Sequence, residues 1–243
     1  MTTHKKTSAV ARSYGRDCDQ IRPVSFCDSL LTLSPGSILV TIGDTKVLCV
    51  VSIQSGVPPF LRSKNQGWLS AEYGMLPGST QERSARESAT MKRNNRSIEI
   101  SRLISRALRS ITSLDHIGER TIMVDCDVIQ ADGGTRTAAI TGASLALANM
   151  QKYWLENGVI TKPILIDQVA AVSVGLHNGM IFLDPDYKED SLLQADFNVV
   201  VTKSGKLIEI QGGAEKEPIS WDIFDAIKSV AMTGIQQLFN AIN

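Results

Sequence analysis

The chain has no net charge: across 243 residues, 25 Lys and Arg balance 25 Asp and Glu. It is therefore not a polycation held to its partners by bulk charge. Its four cysteines, Cys18, Cys27, Cys49 and Cys126, form no CxxC pair, and its three histidines are scattered with no HExxH spacing. Neither set reads as a zinc site. No apolar run is long enough to span a bilayer, and no charged-then-apolar leader opens the chain. These absences point to a reducing, cytoplasmic setting with no membrane partner. There is no GxxxxGK[ST] loop, no GxGxxG and no GxSxG elbow, and no cysteine has an obvious histidine partner. Covalent acyl transfer thus has no support, and a nucleotide-cradling loop has none either.

What is present is ordinary globular material, 43% hydrophobic and 21% charged, enough for one large domain or two small ones. The charge is unevenly placed. Residues 82–109 hold eight Lys and Arg against three Glu, whereas residues 184–196 hold Asp184, Asp186, Glu189, Asp190 and Asp196 against Lys188. The basic patch suits an anionic ligand and the acidic patch a metal, or both are solvated surfaces.

Residues 1–13 are polar and without periodicity, and are expected to be mobile. Ile38–Ile42 and Val47–Ile53, joined at Gly43-Asp-Thr45, read as a β-hairpin. Residues 54–80 read as mostly loop with a short strand near Trp68–Tyr73. Ile98–Ile111 reads as a helix, with Ile100, Leu103, Ile104, Ala107, Leu108 and Ile111 on its core face and Arg102, Arg106 and Arg109 opposite. That arginine face is either solvated or follows an RNA backbone. Thr121–Ile129 alternates as a strand with Asp125 and Asp127 on one face. The helix that follows is rich in Ala and Gly, which lets it pack closely on a sheet. A hairpin turning at Asn178-Gly179, a second turning at 203–206 and a C-terminal helix capped by Ser220 complete the chain. Hairpin-then-helix occurs in each half, roughly 14–156 and 157–243, within one domain over 14–243, and hints at an internal duplication.

The chemistry concentrates in Asp125-Cys-Asp-Val-Ile-Gln-Ala-Asp-Gly-Gly-Thr-Arg-Thr137. A strand meets a helix across two glycines, which let backbone N–H groups approach an anion at a helix N-terminus. Thr135 adds a hydroxyl and Arg136 a guanidinium fork. The alternative is a tight strand-to-helix turn capped by Thr135. Anion-holding residues together with carboxylates suit phosphoryl chemistry without a protein nucleophile, in which positioning and charge stabilisation carry the rate. The acids would hold a divalent cation or, if burial raises one pKa, supply a general acid.

Beyond these single signals, a longer series of motifs resembles the ribonuclease PH family of phosphorolytic 3′-exoribonucleases. More distantly, the chain is similar to polynucleotide phosphorylase domains and exosome ring subunits. The residues that carry the resemblance are Gly43-Asp-Thr-Lys-Val-Leu-Cys49, Gly67-Trp68, Ala71-Glu-Tyr-Gly-Met-Leu-Pro77, Ser79-Thr80, Arg83 and Ala85-Arg-Glu87. It continues through Glu99-Ile100, Arg102-Leu-Ile104, Arg106-Ala-Leu-Arg109, Asp125-Cys-Asp127, Gln130–Thr137, Thr141-Gly-Ala143 and Val169–Gly175.

The resemblance implies an α+β fold of two related β-rich halves, similar to the second domain of ribosomal protein S5, assembled as a homo-hexamer, a trimer of dimers. It implies that inorganic phosphate attacks the last phosphodiester of an RNA 3′ end, releasing a nucleoside diphosphate and trimming tRNA precursors. By position, phosphate binding falls to Arg96, Gly134, Thr135 and Arg136. Catalysis falls to Asp190 and Asp196, with Asp196 as proton donor and Asp190 on or beside a magnesium ion. RNA guidance and subunit pairing fall to Arg83 and Arg86. Two departures stand out. Asn94-Asn95 replaces a usual pair of glycines before Arg96, which asks for a left-handed backbone that Asn tolerates, and Gly78 stands where the family often has a basic residue.

Overall fold

The computed structural model describes residues 12–86 and 94–242. Two sheets face a central helix. The first has strands β1 (Val24–Asp28), β2 (Ser37–Ile42), β3 (Thr45–Ser55), β4 (Trp68–Met75) and β5 (Arg120–Gln130), in the order β1-β2-β3-β5-β4. Only β4 runs parallel to its neighbour, β5. The second is antiparallel, with β6 (Val169–His177), β7 (Met180–Leu183), β8 (Ala195–Thr202) and β9 (Leu207–Ala214) in the order β7-β6-β8-β9.

Helix α1 (Asn95–Ser110) covers β4. Helix α2 (Thr135–Glu156) packs between the sheets on β2, β3 and β6, and α4 (Trp221–Ile242) covers β6 and β7. Helix α3 is a single turn, Tyr187–Asp190.

The burial of α2 on nearly every side explains its composition. A helix between two sheets has no wet face, so apolar periodicity disappears and small residues let the backbones close in. A Cβ on Gly142 would lie 2.8 Å from Cys49 Sγ and would collide with Val40. Cys49 and Cys126 are fully buried in this layer and act as small apolar residues.

The expected α+β architecture holds, as do the expected hairpins and helices. Two elements differ. The short strand expected near Trp68–Tyr73 is present and runs on to Met75 as β4, and β1 was not foreseen, because an edge strand of five residues with only Val24 and Phe26 half-buried gives too short a pattern to read. Of the leader expected to be mobile, residues 1–11 lie outside the described residues, while Arg12 is placed and buried. No described helix is long and apolar enough to cross a membrane.

Candidate active site

The glycine turn 133–134 sits at the N-terminus of α2. Gly133 and Gly134 have φ of 76° and 63°, values that cost a side chain strain. Space is lacking as well: a Cβ on Gly133 would lie 2.6 Å from Pro185 O, and one on Gly134 2.9 Å from Arg22 Nη2. Thr45 holds the turn from behind. Its hydroxyl donates to Gly133 O (2.7 Å) and accepts from Asp132 N–H (3.0 Å). The cap residue is Gly134 rather than Thr135, and it offers no side-chain cap. The first residues of α2 thus line the cleft with no side chain capping their N–H groups, which is the arrangement an anion needs. The Thr135 hydroxyl instead meets Tyr73 Oη at 2.8 Å.

The acidic segment divides. Asp184 is bound by the buried guanidinium of Arg22, through Nε (2.9 Å) and Nη2 (2.7 Å). Burial works against the Arg22 charge, but the bonds to Asp184 outweigh it and hold the group above its usual pKa. Glu189 is shared by Arg12 and Arg16, each at 2.7 Å. Asp186 caps α3 in a reciprocal box with Glu189. Burial opposes its charge, yet the N–H groups of Glu189 and Lys188 and the Ser13 hydroxyl hold its pKa below the ordinary value. Three of the five acids thus build a scaffold, and two remain for chemistry.

Those two are Asp190 and Asp196. They line a cleft of about 340 Å³ together with Arg96, Gly134, Thr135 and Arg136. All six residues expected at the phosphate and catalytic positions are brought to one space. Asp190 reaches solvent at the mouth, and Asp196 is half-buried on β8. Partial loss of water raises the Asp190 pKa, with Asp196 next and Glu215 adding to it, against Arg96 and Arg136. Loss of water and then Glu215 raise the Asp196 pKa, opposed by Arg136 and Arg96. Raised carboxyls across a cleft from two guanidinium groups can hold a proton beside a bound anion. Among the described residues, no group of three or more His, Cys, Asp or Glu converges as a metal site. Two carboxylates nonetheless suit hydrated magnesium, which takes one or two and keeps its waters.

Ser173, Asn198 and Glu215 also line the cleft. The Ser173 hydroxyl donates to Asn198 Oδ1 at 2.8 Å. Asn198 was legible in principle, since it lies two residues beyond Asp196 on the same strand face. Arg136 does not stand alone: it donates to Glu99 Oε1 (3.2 Å) and Gln211 Oε1 (2.8 Å). Arg83 and Arg86 are exposed and do not line the cleft.

The left-handed backbone expected at Asn94-Asn95 is absent. Asn94 is extended (φ −70°, ψ 130°), Asn95 opens α1, and the Asn94 side chain accepts from Arg96 N–H at 3.0 Å. Asparagine here is an N-cap that fixes the start of the helix carrying Arg96. The arginine face of α1 is partly engaged. Arg106 donates to Glu209 (2.9 Å), and Arg109 lies 4.5 Å from the Trp68 ring centre.

A second crevice, of about 330 Å³, is lined among the described residues by Glu72, Asp125 and Asp127. Loss of water, then Glu72 and Asp127, raise the Asp125 pKa. Of the two spaces, only the cleft at the glycine turn gathers Arg96 and Arg136 with the expected acids among its described lining residues, and it is the candidate active site.

Comparisons with known proteins identify the family and the fold. Residues 20–152 match domain 1 of the 3′ exoribonuclease family and residues 167–233 match its domain 2. The fold is similar to a chain of the Archaeoglobus fulgidus exosome with RNA bound to the active site, at 20% identity and a TM-score of 0.82, covering 96% of this chain and 92% of that one. It is similar to rice (Oryza sativa) Rrp46 at 20% identity and a TM-score of 0.75, covering 94% and 97%. It is also similar to an archaeal exosome core chain at 21% identity and a TM-score of 0.73, covering 92% and 87%. With both family domains matched in order on either side of the cleft, the chain belongs to the 3′ exoribonuclease family, the ribonuclease PH fold.

Proposed function

We propose that the protein is a phosphorolytic 3′-exoribonuclease of the ribonuclease PH type, trimming the 3′ ends of tRNA precursors in the cytoplasm. The observation that carries this reading is the single cleft in which two arginines and an open helix N-terminus face two carboxyls of raised pKa. Arg96, Arg136 and the N–H groups at Gly134 and Thr135 hold inorganic phosphate, which would otherwise be repelled by the RNA phosphate. An oxygen of the bound phosphate forms a bond to the phosphorus of the last nucleotide, and the bond from that phosphorus to the preceding 3′ oxygen breaks. Asp196, whose pKa is raised by loss of water and by Glu215, donates the proton to the departing oxygen. The product is a nucleoside diphosphate. Asp190 would hold or stand beside hydrated magnesium, which would supply positive charge to the phosphates. Arg83 and Arg86 guide incoming RNA and pair subunits of a homo-hexamer, a trimer of dimers.

A second reading is a non-catalytic, RNA-binding ring subunit of an exosome-like assembly. Two observations favour it: the similar structures are exosome chains, and Glu99 and Gln211 already occupy Arg136. One assay separates the two. A tRNA with extra 3′ nucleotides is incubated with and without phosphate and magnesium. The phosphorolytic reading expects nucleoside diphosphates, formed only with phosphate. Phosphate-independent digestion or release of monophosphates overturns it. RNA binding without turnover gives the second reading.

A further inference from the structure

The cleft does not end at the glycine turn. A second space of about 500 Å³ opens from it, sharing Arg96, Gly134, Thr135 and Asp190 as walls. Tyr187 is the one aromatic residue among those that line it. This tyrosine is 59% exposed. Exposure of a lone tyrosine is unremarkable in itself; its placement is what matters. Its N–H donates to Asp132 Oδ1 at 3.3 Å, and the Gly133 turn presses so closely that a Cβ there would lie 3.0 Å from Tyr187 N. The capping box of α3 fixes the same segment from the other side. The backbone is therefore held while the ring is left open. Among the described residues no other ring stacks on it, whereas Trp68 and Trp221 meet Phe60 and Phe224 edge-on.

We infer that Tyr187 is a stacking platform for a base near the 3′ end of single-stranded RNA. The inference deepens the phosphorolytic reading and rests on its identification of the cleft as the RNA 3′-end site. The cations of the cleft recognise phosphate, and Tyr187 adds the one aromatic face among the residues that line the adjoining space. An aromatic face holds any base, because every base has a π-face, and so grips RNA without sequence preference. Asp190 lies three residues beyond Tyr187 at the end of the same turn. A base stacked on the ring would set the register of the strand against the bound phosphate and Asp196.

The test is equilibrium binding of a short 3′-single-stranded RNA in the absence of phosphate, so that it does not depend on turnover. Tyr187→Ala is expected to weaken binding about 5- to 100-fold, with Tyr187→Phe and Tyr187→Trp close to the parent. An RNA with one abasic nucleotide within its last few positions should lose affinity for the parent protein by a similar factor, and lose little further for Tyr187→Ala. Circular dichroism and the thermal midpoint of each variant exclude a folding defect. Unchanged binding by Tyr187→Ala overturns the inference, as does equal loss in Tyr187→Phe, which would assign the contact to the hydroxyl. A parent protein that binds no RNA overturns it too. If Tyr187-dependent binding is found but no phosphate-dependent turnover, the phosphorolytic reading fails and the platform stands.

Discussion

The back and the front of the glycine turn treat charge in opposite ways. Behind it, Arg22 and Asp184 are buried and bonded to one another, and Arg12 and Arg16 share Glu189. In front, Arg96, Arg136, Asp190 and Asp196 surround a cleft, and the carboxyls are left partly dehydrated, with raised pKa values. Paired charges fix the shape of a loop but can no longer exchange a proton or receive a ligand. Charges held apart by a rigid frame keep that capacity. The ion pairs behind the turn are thus what allow the acids in front of it to stay unpaired, and the two regions should respond differently to the same kind of change.

The largest effect is expected in front. Asp196→Asn keeps the shape of the side chain and removes the proton donor. Single-turnover phosphorolysis of a tRNA with extra 3′ nucleotides should fall about 10²- to 10⁴-fold, while RNA binding and the unfolding midpoint stay near those of the parent. A loss of RNA affinity as large as the loss of rate would move Asp196 from chemistry to binding.

The back should instead show its effect in stability. Asp184→Ala takes from the buried Arg22 its bidentate carboxylate and leaves Asp132, 3.8 Å away, as the nearest acid, a change that costs up to about 3–5 kcal/mol. Urea unfolding reads it. Replacing both partners, Arg22→Met with Asp184→Leu, should recover part of that loss, because no uncompensated charge remains. If the double variant is no more stable than Asp184→Ala, the bonds of Arg22 to Asp132 O and Gly133 O, rather than the ion pair, hold the turn.

This division was only half legible in the sequence. The hairpins, the amphipathic α1 and the small-residue α2 could be read from local spacing, because each signal lies within a dozen residues. The six cleft residues came from motif resemblance, and the fold brings them to one place. The assignment of the five acids could not be read. Asp184, Asp186, Glu189, Asp190 and Asp196 look alike in a string, and what separates them is the cap that Asp186 makes on α3 and the pairing of Asp184 and Glu189 with Arg12, Arg16 and Arg22, more than 160 positions away. For the same reason Asn94 read as a substitute for a glycine, when its role is set by where α1 begins.

pH offers a milder way to compare the regions, because the shifts have opposite signs. In front, the folded pKa of Asp196 lies above its unfolded value. The proton needed for catalysis is therefore lost only as pH rises through that raised value, and the alkaline limb of kcat should lie above the ordinary pKa of an aspartate. Arg136 lowers this pKa, so Arg136→Ala should move the limb to higher pH as well as weaken phosphate. Behind, the folded pKa of Asp186 lies below its unfolded value. Its stabilisation is present above the unfolded value and is lost as pH falls through the folded one. Thermal midpoints against pH should show that acid loss in the parent and less of it in Asp186→Asn. A limb that stays in place in Arg136→Ala would detach that guanidinium from the acid.

The smallest expected effect lies at Glu99, where front and back meet in one residue. Its carboxylate accepts from Arg136 (3.2 Å) and from Gln211 Nε2 (2.8 Å), so it positions the guanidinium as the rear acids position their loop. It also places a negative charge beside the group proposed to receive phosphate. Glu99→Gln separates these roles. The amide oxygen still accepts from Arg136, while the competing charge is gone. Exposed pairs of this kind are weak, so KM for phosphate should fall by no more than about fivefold, with kcat unaffected. Glu99→Ala removes the acceptor as well and should raise that KM. If Glu99→Gln raises it as much as Glu99→Ala does, the full charge is needed to hold Arg136, and Glu99 belongs with the paired acids behind the turn.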